Sequence, residues 1–297
     1  MSLTGSSFVN LLGYVWRHPL NAGRRVAALW RVVRWQMAAR LMPGPMAVPF
    51  VQGTFLLTAR GMTGATGNWY CGLHEVNEMG FVLHLLRAGD PFLDVGANVG
   101  SYTVLAGGAV GAQVTAVEPV PATFAHLQRN VALNGMDGHT RCCQLGLSEQ
   151  PGTLRFSKDL DTVNHVLSEG EDLPAVEVPV TRLDDLVGQD VPILIKMDVE
   201  GHERAVLRGA PATLADRRLL AVIMETNGSG SRYGVSDAEL LDLMRGHGFA
   251  PYGYDPFRRC LVDGTGSSGN TVFVRNKAAV EARVGSAPVF RLVNGKI

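Results

Sequence analysis

Phe92-Leu93-Asp94-Val95-Gly96-Ala97-Asn98-Val99-Gly100-Ser101 is an apolar strand that runs into a glycine loop and then into a helix. Glycines at such a turn often serve tight packing alone, so the departures from a nucleotide-binding loop carry the information. A dinucleotide fingerprint needs glycine at its second position, where pyrophosphate approaches the backbone; Asn98 stands there instead. Asp94, at the strand end, would repel a pyrophosphate but attract an ammonium or hold the water that solvates one. A cofactor with an amino-acid group, a ribose and no phosphate fits: S-adenosylmethionine. NAD does not.

Outward from this loop the chain alternates strand and helix. Pro91–Val95, Gln113–Glu118, Arg141–Leu145, Val191–Asp198 and Leu219–Glu225 are short apolar runs of the kind buried in a parallel sheet. Val99–Gly108, Pro121–Leu133, Glu203–Leu214 and Ser236–Gly246 read as helices between them. The pattern predicts a doubly wound α/β sheet with its ligand site at the carboxyl ends of the strands. Phe249–Tyr254 and Asn270–Arg275, joined by the glycine-rich stretch Asp263–Gly269, read as a closing antiparallel hairpin. Gly152–Thr181 reads as an insertion whose polar middle, Asp159–Asp172, could form a lid.

Two further motifs lie at strand ends. Val117-Glu118-Pro119 places a carboxylate where it can accept both hydroxyl hydrogens of a ribose; the plainer alternative is a helix entry ahead of Pro119 and Pro121. Lys196-Met197-Asp198-Val199-Glu200-Gly201-His202-Glu203 closes the fourth strand, and strand alternation puts Lys196 and Asp198 on one side, joined by Glu200 if extension persists.

In this order, and followed by Val206-Leu207-Arg208-Gly209-Ala210, the three motifs resemble the FkbM family of S-adenosylmethionine-dependent methyltransferases, from about Glu75 to Arg275. The resemblance implies the class I, Rossmann-like methyltransferase fold, with a seven-stranded, mostly parallel sheet ending in an antiparallel hairpin. It also implies methylation of a hydroxyl on a sugar or a natural-product intermediate. Asp94, Gly96, Asn98, Gly100 and Glu118 would be cofactor residues, with Ser101 and Pro119 beside them.

An alcohol is a poor nucleophile while protonated, so a base should assist. His202, next to Asp198 and Glu200 in sequence, is the first candidate, against the alternative that it merely caps the following helix; His165 in the insertion is the competitor. Glu225 and Asn227, at the end of the fifth strand, could bind acceptor hydroxyls. Glu225 and Asp198 together could hold a magnesium ion that acidifies a sugar diol. Tyr252, Tyr254, Asp255 and Arg259 form an aromatic and charged group suited to a sugar, or else an ordinary hairpin surface.

The 297 residues carry 27 basic and 27 acidic side chains, which gives no support for nucleic-acid binding. The distribution is uneven. No acidic residue precedes Glu75, so Arg17, Arg24, Arg25, Arg31, Arg34, Arg40 and Arg60 put the first 74 residues at +7 and the remainder at −7. All four tryptophans (Trp16, Trp30, Trp35 and Trp69) fall in that leader. It reads as an added helical layer whose arginines meet the acidic domain, or as a surface for an anionic membrane or acidic partner. Arginines interrupt every apolar run before the ~20 residues of a span, and no signal peptide is evident. The four cysteines form no CxxC pair, so the chain reads as reduced and cytoplasmic. The expected organisation is a basic helical extension over 1–74, a methyltransferase domain over 75–275 and a tail over 276–297, with homo-oligomerisation left open. An NAD-dependent oxidoreductase and a non-catalytic, membrane-associated adaptor on a methyltransferase scaffold are the alternatives; Asn98 speaks against the first, and the intact third motif against the second.

Overall fold

The computed structural model describes residues 5–42, 44–158, 164–168, 170–266 and 269–297. Helices α1 (Gly5–Arg17) and α2 (Arg25–Leu41), a hairpin of β1 (Met46–Pro49) and β2 (Phe55–Thr58), and helices α3 (Thr63–Cys71) and α4 (Val76–Leu85) precede the central sheet. They do not stand apart from it. Val15, Ala28, Val32 and Trp35 of the leader share one apolar core with Phe92, Tyr102 and Val114 of the α/β region.

The alternation begins with β3 (Pro91–Val95) and continues through α5 (Ser101–Thr103), which runs on as a π-helical segment over Val104–Val110, β4 (Gln113–Val117), α6 (Pro121–Leu133) and β5 (Thr140–Cys143). The insertion then contributes β7 (Gly152–Ser157) and β8 (Ala175–Thr181), which with the preceding β6 (Gly146–Leu147) form a small separate sheet in which β8 is central. Of the expected lid, 159–163 and 169 lie outside the described residues. After α7 (Leu183–Val187) come β9 (Leu194–Met197), α8 (Glu203–Arg208), α9 (Pro211–Ala215), β10 (Ala221–Glu225) and α10 (Asp237–Gly246). The chain closes with β11 (Ala250–Asp255), β12 (Cys260–Asp263), β13 (Asn270–Val274), α11 (Lys277–Gly285) and the short β14 (Arg291–Leu292) and β15 (Gly295–Lys296).

The central sheet has the order β12-β11-β13-β10-β9-β3-β4-β5, parallel from β5 to β10 and antiparallel beyond it. This is a class I methyltransferase arrangement with one strand more than expected. After β11 the Asp255 carboxylate accepts from the amides of Phe257 and Arg258 and turns the chain, so the apolar Cys260-Leu261-Val262 returns along the free edge of β11. Strand alternation divides the core between the two faces. Phe92, Leu194 and Ile223 enter one apolar layer; Leu93, Ile195 and Val222 enter the other.

The single helix expected over Glu203–Leu214 is two. Pro211 has no N–H to donate and is suited to a first turn, so α8 ends at Arg208 and α9 restarts at Pro211. At α10, Ser236 and Glu239 form a reciprocal capping box that sets the helix start one residue after the expected one.

Candidate active site

Strands β4 and β9 flank β3, and the loops after β3, β4, β9 and β10 surround a cavity of about 270 Å³ at their carboxyl ends. That is near the lower end of the ~300–1,000 Å³ usual for small-molecule pockets. Its place, at the point where the strand order diverges to either side of β3, is where open α/β sheets bind ligands.

Glu118 directly follows β4 and is buried. Its Oε2 accepts the Asn98 amide and its Oε1 the Val120 amide, both at 2.9 Å, which ties the first loop to the second. Burial pushes the carboxyl up to about 7 despite those two bonds. Two amides leave one lone pair on each oxygen, so a ligand with vicinal hydroxyls would complete the set.

Lys196, from β9, is buried and donates from Nζ to Asp198 Oδ2 at 2.7 Å, with the ammonium 5.0 Å from the centre of the Tyr102 ring. Burial works against its charge, but Asp198, Glu75 and Asp94 outweigh burial and hold the ammonium above its usual range. Asp198, Glu200 and Glu225 lie close enough that one carboxylate oxygen from each falls within 4.8 Å of the others. Burial and then neighbouring carboxylates, Asp198 first, push Glu200 up to about 7 and Glu225 up to about 8.

His202 lines the cavity, with Nε2 and Ser148 Oγ 3.2 Å apart and the ring edge-to-face with Tyr233. It occupies the N-cap position of α8 but its side chain makes no capping bond; Glu203 Oε1 accepts the amides of Val199 and Gly201 instead. Burial lowers the imidazole pKa.

Of the residues singled out from sequence, Gly96, Asn98, Ser101, Glu118, Pro119, Lys196, Asp198, Glu200, His202 and Glu225 line this cavity. Asp94, Gly100, His165, Asn227 and Tyr254 do not. Asp94 is buried beneath the floor, where it accepts the Thr103 hydroxyl at 2.6 Å, and burial raises its carboxyl to about 6. His165 is flanked by Asn164 and Val166, which line the cavity; the intervening His165 is buried with Nε2 2.9 Å from Glu171 Oε1. Asn227 is exposed and donates to Glu225. Tyr254 packs in the core with its hydroxyl 2.7 Å from His84 Nδ1. Arg259 contacts the carbonyls of Ala287 and Pro288 in the tail, so the aromatic and charged group expected at the hairpin is not assembled at the cavity.

One wall went unforeseen. Thr63, Gly64, Ala65 and Asn68 of α3, with His74 and Glu75, come from the stretch taken as an extension or from its edge. Glu75 accepts the Tyr102 hydroxyl on Oε2 at 2.7 Å and the Asn270 amide on Oε1, and Asn68 donates to Ser101 Oγ at 3.2 Å. Glu75 is the first carboxylate in the chain, which was its only mark in the sequence.

Residues 94–251, just over half of the chain, match the Methyltransferase FkbM domain. The chain belongs to the FkbM methyltransferase family. Among relatives of this FkbM protein is the 31-O-demethyl-FK506 methyltransferase FkbM of Streptomyces tacrolimicus, 30% identical over 200 residues, with 55% of this chain and 74% of that protein covered. A hexuronic acid methyltransferase, AglP, of Haloferax volcanii is 30% identical over 122 residues. That match covers 40% of this chain and 49% of AglP, so the chain spans about half the length of that relative. Among solved structures, a TehB-like SAM-dependent methyltransferase of Corynebacterium glutamicum is similar at 14% identity and a TM-score of 0.41, covering 71% of this chain and 93% of that one. By its family the protein is a methyltransferase, and the NAD-dependent reading falls.

Proposed function

We propose that the protein methylates a hydroxyl of a sugar or a natural-product intermediate, with His202 as the general base. The observation that carries this reading is a half-buried imidazole in the cavity wall that is not engaged as a helix cap and whose pKa desolvation lowers, favouring the neutral form near neutral pH. The names of two relatives, one a 31-O-demethyl-FK506 methyltransferase and one a hexuronic acid methyltransferase, support an acceptor of this class.

When bound, S-adenosylmethionine supplies a methyl group activated by a sulfonium. Glu118 would accept the ribose hydroxyls, and the apolar Val120, Leu147 and Phe156 beyond it suit a purine ring. Glu75 and Asp198 would favour the amino and sulfonium charges. Lys196, itself neutralised by Asp198, orders that carboxylate rather than competing for the ligand. His202 takes the hydroxyl proton on Nδ1, the ring nitrogen that Ser148 leaves free, while the cavity holds the acceptor oxygen in line and excludes water.

A second reading uses magnesium at Asp198, Glu200 and Glu225, whose grouping would suit an oxygen-liganded cation that acidifies the acceptor. One experiment separates the two: turnover of His202→Ala on sugar-acid and macrolide-type hydroxyl acceptors, with and without chelator. The base reading expects a loss of about 100- to 10,000-fold with S-adenosylhomocysteine affinity retained. Full activity in His202→Ala, or activity removed by chelator and restored by magnesium, would overturn it.

A further inference from the structure

Helix α2 is apolar on two opposite faces. Ala28, Val32 and Trp35 are buried against the body of the protein. Val26, Trp30, Met37 and Leu41, spaced by four, seven and four residues, form a second stripe roughly opposite to the first. They are 76%, 57%, 52% and 81% exposed. The stripe continues onto α1, which packs on α2: Val9 and Trp16 are exposed there, with the Arg25 guanidinium 5.3 Å from the centre of the Trp16 ring. Exposed Trp, Val, Met and Leu gathered on two packed helices are more than the scattered apolar residues of an ordinary surface.

The charge around the stripe is of one sign. Arg34 and Arg40 flank it, Arg24 and Arg25 stand at the helix start, and no carboxylate occurs anywhere in this part of the chain. The arginines were expected to meet the acidic domain. They do not: among the described residues no ion pair joins a leader arginine to a carboxylate. Arg17 and Arg40 bond within their own helices, and Arg31 is turned inward to Asn21 and the Tyr70 carbonyl.

We propose that the outer face of α1 and α2 docks on the surface of an anionic lipid bilayer. Interfacial tryptophans, aliphatic side chains between them and flanking arginines match a headgroup boundary, where the apolar stripe enters the acyl edge and the guanidiniums reach phosphates. The binding is peripheral, since no helix among the described residues is long and apolar enough to cross a membrane. A second copy of the chain fits this face less well, because a symmetric contact would set arginine against arginine with no carboxylate to separate them. Helix α2 packs on α3, and α3 supplies Thr63, Gly64, Ala65 and Asn68 to the cavity wall, so one helix links the docking face to the site.

The test is co-sedimentation of the full-length protein with vesicles of equal parts phosphatidylcholine and phosphatidylglycerol, against vesicles of phosphatidylcholine alone. Binding to the anionic vesicles only, falling as salt is raised, is the expected result. Arg34→Gln with Arg40→Gln should lower the partition roughly 25-fold, about fivefold per charge. Trp30→Gln with Met37→Gln and Leu41→Gln should abolish it, with S-adenosylhomocysteine affinity unchanged in both variants as evidence of folding. No sedimentation at low salt overturns the proposal, as does equal binding to neutral vesicles. Concentration-dependent dimerisation that the apolar variant abolishes would assign the face to a second copy. Capture by polyglutamate but not by vesicles would assign it to an acidic protein.

Discussion

Gly96 has φ +73°, and a Cβ there would stand 1.8 Å from the Asp198 carbonyl oxygen, so this glycine is required for the β3 loop to pass over the end of β9. Gly100 is similar, with φ +93° and Leu127 2.7 Å from the position of a Cβ. Both act through the backbone, and Gly96→Val would lose ligand binding through loss of the loop. Glu118 offers a cleaner probe. Glu118→Gln keeps the side chain's size and one acceptor oxygen, so the fold should persist by circular dichroism. S-adenosylhomocysteine affinity should fall by about 2–4 kcal/mol in calorimetry, from charge-assisted bonds of ~1.5–3 kcal/mol each with incomplete additivity. Unchanged affinity would remove the ribose role. Both Glu118 and His202 were visible as residues at strand ends. Their distant partners were not, because the Asn98 amide, Ser148 and Tyr233 reach them through folding back of the chain.

Elements constrain the site as much as single groups do. Tyr233, in the turn before α10, donates its hydroxyl to the Val166 carbonyl and sets its ring against His202, which joins the β10–α10 connection to the insertion over the cavity. Tyr233→Phe keeps the ring and removes the bond. Limited proteolysis within the insertion should then speed up about fivefold, corresponding to one hydrogen bond of ~1 kcal/mol, while melting of the whole protein changes little. An unchanged cleavage rate would show that the insertion is held by its own sheet alone. The leader is a second such element. Asn21 donates to the Val15 and Tyr70 carbonyls, and Arg31 to Tyr70, so α1 and α2 brace α3 and thereby one wall of the cavity. Removing 1–44 would unseat that wall, which is why point substitutions on the outer face, and not truncation, isolate the docking surface.

At the scale of the molecule, two sets of titratable groups desolvated by folding pull stability in opposite directions. Burial lowers His18 and His84 to about 4 and also depresses His202. Their stabilising effect is present above the ordinary imidazole pKa near 6.5 and is lost as pH falls toward the folded value. Glu118, Glu200 and Glu225 are raised to about 7, 7 and 8. Their effect is present below about 4.5 and is lost as pH rises through the folded values. Above pH ~6.5 the imidazoles no longer contribute while the glutamates still titrate, so the ligand-free protein should melt at progressively lower temperature between pH 6.5 and 8, and Glu225→Gln should flatten the decline. A flat wild-type profile would contradict this. The β3 loop, the strand–helix alternation and the third motif were legible in the sequence because each is local: period, glycine and carboxylate positions in one continuous stretch determine them. So were the uneven charge and the tryptophans of the leader. Tertiary structure alone decided that the leader builds a cavity wall, that Asp94 lies under the floor, that His165 turns away while Asn164 and Val166 face in, and that α2 keeps one apolar face uncovered. Burial and orientation depend on which distant segments pack against a residue, and no local pattern of side chains encodes that.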